Sequence, residues 1–265
     1  MVDYREVQHG FGIFKNFFDD ATKRKKFIDA LDMCSAGAAV EAIDLFNKAW
    51  SNTVPMETYI ASLSEHPERE NVHGRLSMWR AFGTSPARVA IVLNIPSDSL
   101  ASLALGIQFS PVAYLPEKAA HKVVDDISAN IHTECAFLRG LGHPVLVQMV
   151  FRMLLSGVVC LKHEGFGEEC EWRAIYQPKI LASTLMKSTT KVIAGVPQVV
   201  YEIPMDVTAS PELADLDFAK MFDHLIIGPS PYVWPMYQAF VDALTDAGIA
   251  DAAKRLVPSG IPIRA

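Results

Sequence analysis

The longest apolar run of the chain constrains its fold most strongly. It extends from Pro144 to Cys160 and is interrupted by Gln148 and Arg152. Proline suits the first turn of a helix, so the run predicts a buried helix. We expect its buried stripe to comprise Val145, Met149, Met153 and Gly157. The run is shorter than the roughly 20 residues of a membrane span and carries a charge near its middle, which favours a soluble protein that does not partner with a membrane.

Helical periodicity dominates the opening of the chain, and strand composition follows it. Apolar residues recur every three to four positions from Arg5 to Trp50, with breaks at Asp19-Asp20 and at Ser35-Ala36-Gly37. Later helices are predicted over residues 116–138, 144–160 and 235–247. The predicted strands cover residues 57–63, 88–93, 109–115, 172–176, 191–193, 198–203, 224–227 and 261–264.

The order of these elements predicts the fold class. Long helices between strands, without strict alternation, favour an α+β fold in which a helical N-terminal segment precedes a mixed or antiparallel sheet with packed helices. No repeat or Gly/Ser linker divides the sequence, so we expect residues 1–265 to form a single domain, with a helical opening at 1–55 and a sheet-containing body at 56–265. The sequence lacks a glycine-rich phosphate turn after an early strand, which argues against a doubly wound nucleotide-binding fold.

Charge and cysteine usage exclude several classes of protein. The net charge of −6 provides no bulk attraction for a nucleic-acid backbone. The basic cluster Lys23-Arg24-Lys25-Lys26 lies in a helical pattern, and we expect a solvated helix face more than an anion contact. The opening residues are polar and do not resemble a signal peptide. The cysteines form no CxxC pair and have no histidines at metal spacing, which predicts buried thiols in a cytoplasmic protein and no metal site.

A pair of carboxylates marks the strongest candidate site. Glu169 and Glu171 stand two residues apart at the start of a predicted strand. Residues at i and i+2 of a strand point to the same face, where like charges repel each other. A purely structural strand rarely has this pairing, so it points to a functional site. The structural alternative is that both side chains are surface partners of cations such as Lys162 or Arg173.

Several stretches, taken in order, resemble a bacterial family. These stretches are residues 59–65, 76–83, 89–91, 162–166, 169–173, 226–229 and 259–264. Over nearly the whole chain they are similar to the uncharacterised family called domain of unknown function 2971. Members of that family open with a strand that leads into an Asn-Asp-x-x-Glu turn. Asp3 and Glu6 match the turn, whereas Val2 stands in place of the Asn, so the resemblance implies that the N-terminal strand of the family is missing.

A more distant similarity links two of these stretches to the ADP-ribosyltransferases. Ser62-Leu63-Ser64, followed later by Glu169-x-Glu171, resembles the Ser-x-Ser and Glu-x-Glu elements of those enzymes. The resemblance implies NAD as a co-substrate and a reaction through a sugar cation that a carboxylate can stabilise. It assigns Glu171 to the ribose and Glu169 to the acceptor, with Ser62 or Ser64 on the nicotinamide side.

Three further residues are candidates for binding a nucleotide. Arg80 and Arg173 carry guanidinium groups, which suit the oxygens of a diphosphate. His163 precedes the carboxylates closely enough to share their site. The structural alternatives are that Arg80 stacks or pairs beside a core Trp79, that Arg173 braces its strand, and that the two serines bond to backbone.

Two classes of function follow from the sequence. The first is an NAD-consuming transferase or glycohydrolase-like enzyme that uses Glu169 and Glu171 on a nucleotide ligand and an unidentified acceptor. The second is a non-catalytic binding or interaction domain, a degenerate relative of the family without its first strand. The sequence has neither the GxSxG element of a serine hydrolase nor a P-loop.

Overall fold

Helices fill the first part of the chain, as predicted. The structure, a computed structural model, describes residues 4–82, 87–96, 99–193 and 195–262, with side chains from Val7 onward. The turn expected around Val2 and Asp3, the side chain of Glu6 and the end of the predicted strand at 261–264 lie outside what is described. From Tyr4 to Asn52 the chain is helical, with breaks at Asp20 and at residues 35–37.

The bounds of the elements establish an α+β fold. In the described residues the helices are α1 (Tyr4–Asp19), α2 (Ala21–Cys34), α3 (Ala38–Asn52), α4 (Leu76–Phe82), α5 (Ala101–Ala104), α6 (Glu117–Thr133), α7 (Cys135–Gly140), α8 (His143–Cys160), α9 (Phe218–Met221) and α10 (Val233–Asp246). The strands are β1 (Tyr59–Ser64), β2 (Val89–Leu93), β3 (Ile107–Pro111), β4 (Ala113–Tyr114), β5 (Leu161–Lys162), β6 (Glu171–Tyr176), β7 (Lys187–Ile193), β8 (Val196–Glu202), β9 (Phe222–Ile227) and β10 (Leu256–Pro258). The helical opening precedes small antiparallel and mixed sheets, which confirms the predicted fold class.

The chain forms two compact units. The first contains the described residues up to Leu63 and those from Gln108 to Leu181. The second contains the described residues from Ser64 to Ile107 and those from Ala182 onward. The expectation of a single domain over the whole chain stays a prediction.

Helix α8 is the central helix of the first unit. It begins after Gly142, which has a φ of 82°, and has Pro144 in its first turn. The predicted buried stripe was wrong, because Val145 and Met149 are each 48% exposed. The buried side chains are those of Leu146, Val147, Val150, Phe151, Leu154, Leu155, Val158, Val159 and Cys160. A helix that is apolar on most sides offers no periodic signal for the choice of face, which its contacts with α1 and α3 decide.

The burial of α8 is also relevant to whether this helix spans a membrane. Among the described helices it is the one that is long and apolar enough to cross a bilayer. Half of its apolar window is buried inside the protein, and the core helix of a soluble protein can be equally long and apolar.

A three-stranded sheet in the first unit brings the candidate strands together. Its strand order is β1-β6-β3, so β6 lies between the other two. The rings of Phe109 on β3 and Trp172 on β6 stack at 5.0 Å between centroids. Beside this sheet β4 pairs with β5 in parallel, with Tyr114 opposite Lys162. The start of β6 is therefore surrounded by residues of β1, β4 and β5.

The second unit is built on a mixed sheet with β9 at its centre. Strand β2 pairs with β9 in antiparallel and β10 pairs with it in parallel. Helix α10 packs apolar side chains against this sheet. Strands β7 and β8 form a separate antiparallel hairpin.

Several predicted elements differ from the structure; the strand predicted over residues 109–115, for example, is divided between β3 and β4, which belong to different sheets. The helix expected over residues 116–138 is broken at Glu134, whose φ of −92° and ψ of 15° end α6 and precede α7. The closing strand lies at Leu256–Pro258, and Ile261 and Pro262 are not part of a strand. Pairing with the buried strand β9 decided the position of the closing strand, and short apolar runs do not reveal their pairing partner.

Candidate functional site

The two carboxylates of the Glu-x-Glu element meet, although not on one strand as predicted. Glu169 ends a 3-10 helix that begins at Glu164, and β6 begins only at Glu171. Between them Cys170 adopts a left-handed conformation with a φ of 45°. Both carboxylates bind Lys162, whose Nζ lies 2.6 Å from Glu169 Oε2 and 3.1 Å from Glu171 Oε2. A shared cation therefore offsets the repulsion expected from the sequence.

Glu171 is the centre of a buried network of charges. Ser62 Oγ donates to its Oε1 at 2.5 Å, and Arg173 Nε donates to the same oxygen at 2.9 Å. A terminal nitrogen of Arg173 lies 3.3 Å from Oε2, which Lys162 also binds. Two carboxylate oxygens have about four lone-pair directions, so these donors use the whole capacity of the group. The side chains of Glu171, Lys162 and Arg173 are each at most 6% exposed.

Lys162 is held in place by the elements on both sides of it. It follows α8 directly on β5, and its pairing with Tyr114 of β4 fixes its backbone. Its ammonium lies 4.8 Å from the centre of the Phe166 ring, a cation–π contact. Sequence reasoning treated Lys162 as a surface partner because nothing in its two-residue strand reveals burial.

Arg173 braces the interior of the first unit. Besides the two bonds to Glu171, it donates to the backbone carbonyl of Val159 near the end of α8. The structural alternative for this residue accounts for these contacts. A diphosphate would have to replace bonds that the guanidinium already makes.

The environment of Glu171 keeps it ionised. Burial alone would raise its pKa, but the hydrogen bonds from Arg173, Ser62 and Lys162, together with the charge of Arg173, outweigh burial and lower the pKa below the ordinary value of 4.5. Burial likewise raises the pKa of Tyr114, whose hydroxyl accepts the backbone N–H of Glu171 at 2.8 Å. Tyr114 was not identified from the sequence, since its strand is only two residues long.

The two serines of the Ser-x-Ser element have different partners. Ser62 is exposed as a residue, yet its hydroxyl reaches the buried Glu171. Ser64 accepts a hydrogen bond from Arg75 at 3.1 Å. Arg75 in turn forms a two-point ion pair with Glu70. Ser62 therefore belongs to the carboxylate network, and Ser64 supports a local turn of the second unit.

The two remaining predicted site residues are Arg80 and His163. Arg80 lies exposed on α4 in the second unit, next to the buried Trp79. His163 is exposed, and its Nδ1 accepts the backbone N–H of Gly165 at 3.1 Å. Its ring lies 5.9 Å from that of His9 on α1, a residue that sequence reasoning missed. The Nε2 atom of His9 is buried and has no hydrogen-bond partner in the described part of the chain.

The basic cluster on α2 is a solvated helix face with local partners. Lys25 pairs with Asp29, and Lys26 pairs with Asp125 of α6. Lys23 donates to His121 Nδ1 at 2.9 Å. Two of the four cations therefore have a carboxylate partner, one on α2 itself and one on α6. Among the described residues, no group of three or more potential ligands is arranged to hold a metal ion.

Comparison of the chain with known proteins identifies no relative. Neither the family models, nor the curated proteins, nor the solved structures contain a match to it. The resemblances to the domain of unknown function 2971 family and to ADP-ribosyltransferases therefore stay predictions.

Proposed function

We propose that the chain is a non-catalytic binding domain in which the Glu171 network stabilises the fold of the first unit. One observation carries this proposal: every lone-pair direction of the Glu171 carboxylate already has a donor from Ser62, Lys162 or Arg173. The binding or interaction class predicted from the sequence is the one that this geometry favours.

The present partners of Glu171 do not favour ADP-ribose transfer. A carboxylate that holds a ribose hydroxyl must accept a hydrogen bond from it, and its negative charge stabilises the sugar cation. Glu171 faces both Lys162 and Arg173, and Glu169 faces Lys162. Pairing of this kind is typical of a buried ionic network. Removal of one partner from such a network strongly lowers the stability of the fold.

The second unit offers the surface that best suits a protein partner. Tyr232 and Trp234 are exposed just before and within the first turn of α10. The Trp234 ring contacts that of Tyr237 edge-on, with 5.8 Å between centroids. Large aromatic side chains are enriched in protein interfaces. We therefore assign partner binding to the start of α10.

NAD consumption is the second candidate function, and one contact favours it. Ser62 of the Ser-x-Ser element donates directly to Glu171 of the Glu-x-Glu element. Because Ser62 is exposed, a ribose hydroxyl that displaced its Oγ would reach Glu171 Oε1. On this alternative Glu171 holds the ribose of NAD, and the more exposed Glu169 serves the acceptor.

A nicotinamide-release assay separates the two candidates. Purified chain is incubated with NAD labelled in the nicotinamide ring, alongside Glu169→Gln and a control, Glu57→Gln, at an exposed ion pair. The binding-domain proposal expects no release above buffer from any of them. Release by the parent that Glu169→Gln abolishes and Glu57→Gln preserves, with equal thermal stability, would establish the enzyme.

Partner binding is tested by substitution of the exposed tryptophan. Proteins captured by the parent from an extract are compared with those captured by Trp234→Ala. We expect specific partners to be lost from the variant while its melting temperature stays that of the parent. Identical captured sets would remove the start of α10 from the proposal.

The cellular compartment is part of the same proposal. All four cysteines are free thiols, and three of them are buried. Unpaired thiols are typical of a reducing compartment, which supports a cytoplasmic location.

A further inference from the structure

Two cysteines that are distant in sequence meet in the core of the first unit. Cys34 ends α2 and Cys135 begins α7, and both side chains are buried. The neighbouring Cys135 is one of the groups that raise the pKa of Cys34. Cys34 Sγ also lies 3.7 Å from the carbonyl oxygen of Ile131, one helical turn before Cys135. The packing of α2 against α6 and α7 therefore holds these sulfurs together.

An arginine joins the two cysteine-bearing segments. A terminal nitrogen of Arg139 donates to the carbonyl of Met33 at 2.7 Å and to Cys135 Sγ at 3.8 Å. Met33 directly precedes Cys34, so one guanidinium binds the end of α2 and the thiol on α7. A guanidinium beside a sulfur stabilises negative charge on it. Arg139 is exposed, and Cys135 is 9% exposed.

The two thiols differ in their surroundings. Burial raises the pKa of Cys34 to about 11, and the neighbouring Cys135 acts in the same direction. Cys34 is therefore a thiol at neutral pH. Cys135 is the sulfur that the Arg139 guanidinium contacts, and we assign the attack on the oxidant to it.

We propose that Cys34 and Cys135 form a reversible dithiol–disulfide pair that is oxidised by a hydroperoxide. The sulfur of Cys135 gives up its proton and attacks one peroxide oxygen, the O–O bond breaks, and a sulfenic acid forms while the departing oxygen takes up a proton and leaves as water. The sulfur of Cys34 then gives up its proton and displaces the sulfenic hydroxyl, which leaves as a second water. With hydrogen peroxide, two thiols and one oxidant give one disulfide and two water molecules.

The product ties α2 to α7 by a covalent bond. Small-molecule dithiols reverse the step by thiol–disulfide exchange, because the thiolate of the reductant attacks one sulfur of the bridge and releases the other. The pair therefore responds to the balance of peroxide and reductant. This redox response is independent of whether the chain binds a partner or consumes NAD.

The experiment treats the full chain with hydrogen peroxide and maps its thiols. Cys160, which is buried, and Cys170, which is exposed, are internal controls. We expect the mass of the parent to fall by the mass of two hydrogen atoms. Digestion without reductant should then release a fragment in which Cys34 is joined to Cys135. Dithiothreitol should reverse both changes fully. Cys135→Ser should show no such loss, whereas Cys170→Ser should behave as the parent.

Two results would overturn the proposal. In the first, Cys34 and Cys135 both still react with an alkylating reagent after peroxide treatment and unfolding, although Cys170 in the same sample is oxidised. The other is a bridge that includes Cys160 or Cys170. Because fragment mapping uses the parent chain, the test does not depend on whether a cysteine variant folds.

Discussion

Arg173 binds Glu171 from its own strand through two nitrogens. Its Nε lies 2.9 Å from Oε1, and a terminal nitrogen lies 3.3 Å from Oε2. The residues are two apart on β6, so both side chains project from one face. The same guanidinium donates to the carbonyl of Val159 on α8. This ion pair therefore connects the central strand of the sheet with the central helix of the first unit.

The acid dependence of stability follows from the lowered pKa of Glu171. A carboxyl whose pKa is lower in the folded than in the unfolded chain stabilises fully above the unfolded value, near 4.5, and loses this stabilisation as the pH falls through the folded value. We expect the difference in unfolding free energy between the parent and Glu171→Gln to be constant from neutral pH to about pH 5 and to shrink below it. Urea unfolding at a series of pH values measures this difference. A difference that grows on acidification would be inconsistent with an ionised Glu171.

Two glycines of α1 provide a matched pair of substitutions. A methyl group at Gly10 would meet the carbonyl oxygen of Val158 on α8 well inside contact distance, whereas one at Gly12 has no atom within 4 Å. Gly10→Ala should lower the free energy of unfolding by about 1–3 kcal/mol through overpacking. Gly12→Ala should raise it by up to about 1 kcal/mol, since alanine favours the helix. Urea unfolding of both variants measures these changes in unfolding free energy. Equal changes for Gly10→Ala and Gly12→Ala would mean that α1 does not pack this closely on α8.

Trp79 is buried in the second unit, as the sequence predicted. Its side chain is 7% exposed, and its Nε1 donates to the carbonyl of His73 at 2.8 Å. Trp79→Ala should cost about 3–5 kcal/mol in unfolding free energy. Trp234→Ala is the control, because Trp234 is 70% exposed and its loss should change stability by less than about 0.5 kcal/mol. Similar melting of the two variants would place Trp79 outside the core.

Local patterns in the sequence predicted the helical opening and most strands. Asp20 was identified as a break, and its carboxylate accepts the backbone N–H groups of Thr22 and Lys23 at the start of α2. Signals of this kind act within a few residues. They are therefore readable from the sequence before any packing is known.

The contacts that depend on packing could not be predicted in the same way. The sequence singled out Glu171 and Arg173, but it gave no signal that Lys162 is buried between them and Glu169. The approach of Cys34 to Cys135 likewise arises from the packing of α2 on α7. Such relationships join residues that are distant in sequence, and neither periodicity nor composition records them.

The unfolding free energy of Glu171→Gln tests the central claim most directly. If the carboxylate is an internal brace, its loss leaves Arg173 and Lys162 buried with less compensation and should cost about 3–5 kcal/mol. Glu57→Gln, which affects an exposed pair with Lys179 at 4.0 Å, should cost less than about 1 kcal/mol. A Glu171→Gln variant that is as stable as the parent would contradict the claim that Glu171 stabilises the fold of the first unit. It would mean that the carboxylate has a role other than stability.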